Sequence, residues 1–514
     1  MPIGVSWFRS IRGFTLRIRY PHSPCSNQSS ASIIENLNAE IVGGTVTNVQ
    51  EAVTWLSYTY LFVRMMKNPM VYGITYEEKQ LDHRLLRKRT QLIQSAAKQL
   101  DDARMVRYDA RSGNLAVTDL GRVASHYYLK HETIVRFNKD LKPHMSMKDT
   151  LHLICSANEL ENVRVRDEEL KELDTMKNKA PYPVKGGVEN PNGKCNVLLQ
   201  AHISRFYPRA FTLVSDGHYV AQNAARVTRG LFEICLKRGW PGMSETFLTL
   251  SKSIDKRVWW EPIAHPLRQF ERLSLELVRR LEERDTPMGR LYDLSASEIG
   301  ALVHSHRMGD KILDYVRQFP GLDIQVNLLP ITRSILRVEL EIYPDFIWSD
   351  RNHGTVQPFW IWMEDSENNH IYHSEYLLIT KKQYVSEEPL KLIFTVPIFE
   401  PLPSQYYIRA ESDRWVGASH LIAASFENLV LPDHHSPYTE LLDLRPLSIK
   451  ALQNYSYESL FKWTHFNPVQ TQLFPTVYHG DKNILLGAPT GSGKTVVAEL
   501  AMMRLWKAAK PNGA

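Results

Sequence analysis

The sequence predicts a multidomain α+β protein. Three observations lead to this prediction: apolar residues recur at helical spacing through most of Thr47–Trp260, short alternating β-rich segments begin after Gly321, and a Gly-rich loop stands at Ala488–Thr495. At 514 residues, with 43% hydrophobic and 23% charged side chains, the chain has the composition of folded protein and room for about three or four domains.

Charge and cysteine content narrow the possible partners only slightly. The net charge of +6 is compatible with a phosphate-backbone partner, but it is also common in proteins that bind no nucleic acid. The four cysteines lie far apart without Cys-x-x-Cys spacing, which predicts neither a zinc site nor a disulfide framework and favours a reducing compartment, nuclear and/or cytoplasmic. The most apolar stretch, Ala52–Val63, is far shorter than the roughly 20 residues of a membrane span, so we expect no membrane insertion.

The first segment, residues 1–34, is basic and contains no acidic side chain. Its arginines and serines are typical of a mitochondrial transit peptide, but we favour the alternative that it is an unrelated basic leader.

Residues 40–124 have the pattern of a winged helix. Thr47–Met66 predicts one long helix, a second helix runs through residues 92–103, and Met105–Asp109 and Asn114–Thr118 predict a hairpin around Gly113. Winged helices bind nucleic acid or serve only as packing modules, and we favour packing here.

Residues 125–265 are almost wholly helical, with an exposed, ion-paired helix predicted at Val163–Leu173 and a loop at Pro181–Gly193. Within Ala221–Cys235, the side chains of Gln222, Arg226 and Arg229 follow i, i+4, i+7 spacing and therefore share one helix face. An amide and two guanidinium groups so arranged could bind successive phosphates, although a basic stripe is more often plain solvated surface.

Two further modules follow. Residues 266–319 predict a helix-loop-helix with a break near Met308–Gly309, in which His304 and His306 point in different directions and lack further ligands for a metal site. Residues 320–436 contain about seven short strands separated by turns, the pattern of an immunoglobulin- or fibronectin-like β-sandwich, and residues 437–455 form a linker.

The strongest single motif is the P-loop APTGSGKT at Ala488–Thr495, between a predicted strand, Asn483–Gly487, and a predicted amphipathic helix from Val496. Its glycines allow backbone N–H groups to face phosphate oxygens. Lys494 is suited to the β- and γ-phosphates of ATP, and the Thr495 hydroxyl to nucleotide-bound Mg²⁺. The predicted ATP-binding residues are Gln470, Ala488, Thr490, Gly491, Ser492, Gly493, Lys494 and Thr495. Gln470 lies in FNPVQTQ, upstream of the P-loop, where many helicases place a glutamine that pairs with adenine.

Several longer segments resemble one known family. FNPVQTQLF, LLGAPTGSGKTVVAEL, VSDGHYVAQNAARVTRGLFEI and PLPSQYYIRAESDRW are similar to the two-cassette DExH-box superfamily two nucleic-acid helicases. The resemblance implies a helical "ratchet" bundle at 125–265 whose long helix touches single-stranded nucleic acid, and the start of a second-cassette RecA-like ATP-binding domain at 456–514. It also implies ATP and Mg²⁺ as cofactors and subunits of an activating signal cointegrator-type complex as partners.

The sequence departs from that family by omission. We find no DExH box, no Ser-Ala-Thr motif and no arginine finger, and phosphoryl transfer needs such groups positioned together. We therefore expect this chain to be part of an ATP-dependent helicase but to be inactive as an ATPase by itself. The alternative is a non-catalytic nucleic-acid-binding or protein-interaction scaffold; a metabolic P-loop kinase is disfavoured by the long unrelated modules before the loop.

Overall fold

The computed structural model describes residues 26–365, 367–386, 388–399, 401–432 and 441–509, with side chains from Ile33 onward. The chain divides into two compact units, Met1–Leu431 and Pro432–Ala514, which we describe separately.

The first unit opens with a helix that the sequence did not indicate. Helix α1, Ser26–Val42, begins inside the segment predicted as a leader, and its Ile33, Ile34, Leu37 and Ile41 are buried in the core. These four residues follow helical spacing and give α1 an apolar face, so that part of the leader prediction was wrong. The remainder of the predicted leader lies outside the described residues.

The expected long helix at Thr47–Met66 is two helices. Helix α2 spans Val49–Leu56 and α3 spans Tyr60–Lys67. The break occurs because Ser57 Oγ donates to the Thr54 carbonyl at 2.5 Å and the Thr59 hydroxyl caps the backbone N–H of Phe62, so local side-chain hydrogen bonds replace the helical ones. Helices α4, Tyr76–Leu81, and α5, Leu86–Asp102, follow.

The predicted hairpin is present. Strands β1, Val106–Tyr108, and β2, Leu115–Val117, pair antiparallel, and Gly113 adopts φ +74° in the turn between them. Thr118 then caps the next helix through the backbone N–H of Gly121.

The bundle that follows is helical, as expected. Its helices are α6 to α12: Asp119–His126, His131–Asp140, Met147–Cys155, Leu170–Lys177, Pro191–Ile203, Phe211–Arg238 and Pro241–Lys256. Pro191 occupies the first turn of α10, a position where its missing N–H is not needed, so the predicted loop at Pro181–Gly193 ends earlier than expected. The described cysteines of the bundle, Cys155, Cys195 and Cys235, are buried free thiols.

The expected exposed helix at Val163–Leu173 was wrong. Regular α-helix begins only at Leu170, and Glu169 is buried against Lys194 of α10, with 2.5 Å between Oε2 and Nζ. Lys194 also lies 2.7 Å from Asp216 of α11. Glu169 therefore belongs to a buried ionic network, whereas most of the other charged side chains of this segment are exposed.

The helix-loop-helix module contains α13 to α16: Leu275–Glu283, Met288–Tyr292, Ala296–Leu302 and His306–Arg317. The break lies at Val303–Ser305, not at Met308–Gly309, because His304 takes φ +52° and reverses the chain. Gly309 instead lies inside α16, where a Cβ would stand 1.9 Å from the Ala296 carbonyl oxygen, so its role is close helix packing.

Seven strands form two antiparallel sheets with one shared apolar core. One sheet has the order β3–β4–β7 and the other β6–β5–β8–β9. The strands and two short helices between them are β3 Leu322–Thr332, β4 Ile335–Pro344, α17 Asp350–His353, β5 Val356–Asp365, β6 His370–Thr380, α18 Lys381–Ser386, β7 Leu390–Pro397, β8 Gln405–Ser412 and β9 Ser419–Ser425.

Polar contacts as well as apolar ones join the sandwich to the helices. Lys252 of α12 pairs with Glu411 of β8 at 2.7 Å, with both side chains buried. The Gln269 amide donates to the Val416 carbonyl and accepts from the Val416 N–H. The apolar cluster of the winged helix and bundle also includes Trp362 and Ile371 of the sandwich.

The second unit contains the short helix α19, Tyr455–Glu458, and helices α20, Pro468–Tyr478, and α21, Lys494–Ala509. Its core combines aromatic side chains of α20 with Val497, Leu500 and Met503 of α21. The expected strand at Asn483–Gly487 is absent from this described part of the chain, since a strand needs a hydrogen-bonded neighbour and no residue there pairs with it.

Candidate functional sites

The P-loop has the backbone conformation that its glycines were expected to permit. Gly491 and Gly493 adopt φ +87° and +85°, a region that residues with a Cβ rarely occupy. A Cβ on Gly493 would also stand 2.2 Å from Gln470 Nε2 and 2.9 Å from Asn467 Nδ2. Gly493 is therefore fixed both by its backbone angle and by the close approach of α20.

Lys494 and Thr495 begin helix α21 directly after the loop. The Lys494 ammonium folds over the loop and donates to the carbonyls of Ala488 at 2.5 Å and Pro489 at 2.7 Å. Thr490 and Thr495 are exposed, and the Ser492 N–H donates to the Pro489 carbonyl. The loop offers three kinds of hydrogen-bond donor: the lysine ammonium, the backbone N–H groups around the positive-φ glycines and those at the amino end of a 16-residue helix. Together they fit a polyphosphate.

Helix α20 holds the loop from its other side. Asn467 and Gln470 form a capping box, in which the Asn467 side chain accepts from the Gln470 N–H at 2.9 Å and Gln470 Oε1 accepts from the Asn467 N–H at 3.0 Å. The two amide groups then donate to the loop, Asn467 Nδ2 to the Ser492 carbonyl and Gln470 Nε2 to the Gly493 carbonyl. The predicted adenine-binding residue is thus buried and engaged with the P-loop, and Asn467 is a loop-positioning residue that motif reading missed.

Among the described residues, no three His, Cys, Asp or Glu side chains gather in a way that could hold a metal ion. Thr495 offers one hydroxyl oxygen next to the loop, which fits an ion whose other ligands are nucleotide phosphates and water.

The second candidate site is the long helix α11. Gln222 is exposed and Arg226 is half-buried, with its guanidinium donating to Asn223 of the same helix at 2.8 Å. Both side chains lie on the face that the spacing predicted. They remain candidates for phosphate contacts.

Arg229, the third predicted residue, points into the protein. Its guanidinium forms an ion pair with Asp413, just after β8, and lies 5.2 Å from the centre of the Phe232 ring. Burial disfavours the charged form, but Asp413 outweighs burial and raises the pKa of Arg229. Asp413 also accepts from Trp360 Nε1 at 2.7 Å, so Arg229 fastens α11 to the sandwich.

Comparisons with known proteins agree with this architecture. A family model described as the Sec63 Brl domain matches residues 117–425, more than half of the chain, so the chain belongs to this family. A winged helix-turn-helix domain model matches residues 27–102, and a DEAD/DEAH box helicase model matches residues 467–514.

The chain is also similar to three much longer proteins. It is 52% identical over 487 residues to activating signal cointegrator 1 complex subunit 3 of Gallus gallus, covering 94% of this chain and 22% of that protein. It is 47% identical to the DExH-box ATP-dependent RNA helicase DExH14 of Arabidopsis thaliana, covering 96% and 23%, and 46% identical to the U5 small nuclear ribonucleoprotein 200 kDa helicase of Homo sapiens, covering 94% and 22%. The resemblance to DExH-box helicases is thereby confirmed, and the chain spans about a fifth of the length of these relatives.

None of the described helices is long and apolar enough to span a membrane.

Proposed function

We propose that this chain is part of an ATP-dependent nucleic-acid helicase. It would contribute a nucleotide-binding loop and, on helix α11, a surface that binds single-stranded nucleic acid. The observation that carries the first part is the loop itself, in which Gly491, Gly493 and Lys494 have the conformation and charge for triphosphate binding. Bound Mg²⁺–ATP would be held by the Lys494 ammonium, the loop N–H groups and the Thr495 hydroxyl. In hydrolysis the bond between its β- and γ-phosphates would break, with ADP as the leaving group and water as the acceptor of the γ-phosphoryl group.

The chain's own residues supply only one side of that reaction. The Lys494 ammonium neutralises phosphate charge, and Asn467 and Gln470 keep the loop carbonyls of Ser492 and Gly493 turned towards α20. Activation of water and transition-state stabilisation need further groups positioned around the γ-phosphate. Nowhere in the described part of the chain do three His, Cys, Asp or Glu side chains gather to hold a metal ion. We therefore expect nucleotide binding without turnover.

Nucleotide binding by the 514-residue chain tests this first part. A fluorescent ATP analogue should bind weakly in the presence of Mg²⁺, and Lys494→Ala should reduce the affinity at least tenfold, because a charge-assisted contact to phosphate is lost. Lys482→Ala, an exposed lysine of the same unit, is the matched control. Equal binding by wild type and Lys494→Ala would contradict the assignment, and phosphate release abolished by Lys494→Ala would contradict the inactivity.

The second part rests on the α11 face. Arg226→Ala should weaken binding to a single-stranded oligonucleotide and lower the slope of log K against log salt by about 0.7, the contribution of one single-strand phosphate contact. Arg279→Ala, an exposed arginine on α13, should leave both affinity and slope unchanged. Arg229 is unsuitable for this test, because its removal also breaks the ion pair with Asp413.

A scaffold without catalysis is the second candidate, and the Arg229–Asp413 ion pair favours it in one respect, since one of the predicted phosphate ligands is used for internal packing. The scaffold would be supported if the wild-type chain does not bind single strands but does capture subunits of an activating signal cointegrator-type complex. We propose the nucleus and/or cytoplasm as the location of either activity.

A further inference from the structure

The segment Arg205–Phe211 (RFYPRAF), which joins α10 to α11, combines three aromatic and two basic residues without an acidic one. Two of its rings face solvent: Tyr207 is 69% exposed and Phe211 is 84% exposed. Their neighbours Phe206 and Ala210 pack against the buried core of the bundle, whereas these two rings do not. Exposed aromatic rings beside cations are a recurrent feature of single-strand binding sites.

Cations lie against two of these rings. The Lys179 ammonium lies 4.6 Å from the centre of the Phe206 ring, and the Arg257 guanidinium lies 4.9 Å from the centre of the Tyr207 ring. Arg257 also donates to the Tyr207 hydroxyl at 3.0 Å and to the His202 carbonyl at 3.1 Å. The Tyr207 ring is therefore held in place although most of its surface is open to solvent.

Arg205 of the segment lies near two further arginines, Arg257 and Arg268, the second of which is paired with Glu282. Arg205 donates to the backbone carbonyls of Arg257 and Arg268, so its guanidinium charge has no carboxylate partner among its described contacts. Burial, and then the nearby Arg257 and Arg268 guanidiniums, lower the pKa of Arg205. One acidic group touches the segment: Glu172 accepts from the N–H groups of Arg209 and Ala210 and so fixes the backbone before α11.

The segment is continuous with the candidate face of α11. Steps of 4, 3, 4 and 4 residues connect Phe211 to Arg226, so these side chains stay within about 60–80° of one another around the helix. The members of this row are Phe211, Ser215, His218, Gln222 and Arg226; the first four are exposed and Arg226 is half-buried. At 1.5 Å per residue the row is about 22 Å long, roughly the length of six stacked nucleotides.

We propose that Tyr207 and Phe211 form a base-stacking platform for single-stranded nucleic acid, which extends the phosphate-binding face of α11 towards its amino end. This inference rests on the proposed single-strand binding by Gln222 and Arg226. The platform contacts bases through their faces, so it adds affinity without selecting sequence, whereas Arg226 contacts the phosphate backbone.

Two kinds of strand separate these contacts: a mixed-sequence oligonucleotide and an abasic strand of equal length and charge. Phe211→Ala and Tyr207→Ala should each weaken binding to the base-bearing strand by about 5- to 150-fold, the effect of losing one base–aromatic stack. Neither change should affect the abasic strand or the salt slope, because no phosphate contact is removed. Phe211→Trp should retain binding to the base-bearing strand.

Tyr58→Ala removes a ring of equal exposure, 84%, on the winged helix, and it serves as the matched control. Circular dichroism of each variant establishes that it is folded. If wild type binds, Arg226→Ala weakens binding to both strands, and Phe211→Ala has no effect, the platform is wrong while the proposed function stands. If wild type binds neither strand, the proposed single-strand function fails with it. The platform is also wrong if the two alanine variants reduce binding to base-bearing and abasic strands equally, because stacking requires bases.

Discussion

The buried ion pair between Lys252 of α12 and Glu411 of β8 should be one of the most costly contacts to break in the first unit. Nζ and Oε2 are 2.7 Å apart, and the side chains are only 1% and 3% exposed, so neither charge can regain water when its partner is removed. Lys252→Met keeps the length of the side chain but leaves the Glu411 carboxylate without its ammonium partner. We expect each single change, Lys252→Met or Glu411→Leu, to lower the free energy of unfolding by about 3–5 kcal/mol.

The double variant should lose much less. Replacing both members of a buried pair with apolar residues of similar volume is often nearly neutral, so the two substitutions should be strongly non-additive. Urea unfolding followed by tryptophan fluorescence, with hydrogen exchange at β8 and α12, measures both quantities. Lys381 and Asp350 are also 2.7 Å apart but are 51% and 67% exposed, so Lys381→Met should leave the unfolding midpoint unchanged. The reasoning is refuted if Lys252→Met resembles Lys381→Met, or if the double variant equals the sum of the singles.

Three other variants test burial and loop geometry. Burial lowers the pKa of His265 from 6.5 to about 4, so the folded state binds the imidazole proton less well than the unfolded state does. The contribution of His265 to the free energy of unfolding should therefore be fully present above pH 6.5 and fall by roughly 3 kcal/mol towards pH 4. Urea unfolding at a series of pH values measures this loss, which His265→Asn should lack. Burial opposes ionisation of Glu169, but hydrogen bonds from Lys194 and other donors outweigh it and hold the pKa of Glu169 at about 2. Lys194→Met should therefore lower the free energy of unfolding most above pH 4.5, and the difference from wild type should shrink as the pH falls towards 2. Gly493→Ala should reduce ATP-analogue affinity at least tenfold, whereas Gly487→Ala, whose Cβ would meet nothing within 4 Å, should not.

Features set by neighbouring residues could be predicted from the sequence. The hairpin around Gly113, the seven strands after Gly321 and the helix after the P-loop depend on local periodicity and turn residues, and all are present. The helix break at Ser57–Thr59 was missed because the apolar pattern continues through it without interruption. The break is caused by side-chain hydrogen bonds that replace the helical ones.

Contacts between distant segments could not be predicted in this way. A charged pattern such as that around Glu169 looks the same whether its partner is water or a buried lysine 25 residues later. Arg229 was assigned to phosphate by its spacing, while its partner Asp413 lies 184 residues away and carries no local signal. On the loop, the motif identified Lys494 and Thr495, but the contacts of Asn467 with Ser492 become visible only when α20 is placed beside it.

One apolar cluster runs from Ile33 of α1 to Trp362 and Ile371 of the sandwich, and it limits which parts of the first unit can be separated. The module boundaries predicted from the sequence suggest that each module could be exchanged separately. A cut at the boundary near residue 124 would instead divide one continuous apolar core and expose both halves. The winged helix and the bundle should therefore unfold cooperatively and resist being exchanged one at a time between related proteins, whereas the sandwich and the helix-loop-helix module each have an apolar cluster of their own. A portion that keeps this cluster whole must therefore extend from α1 into β5 and β6 of the sandwich.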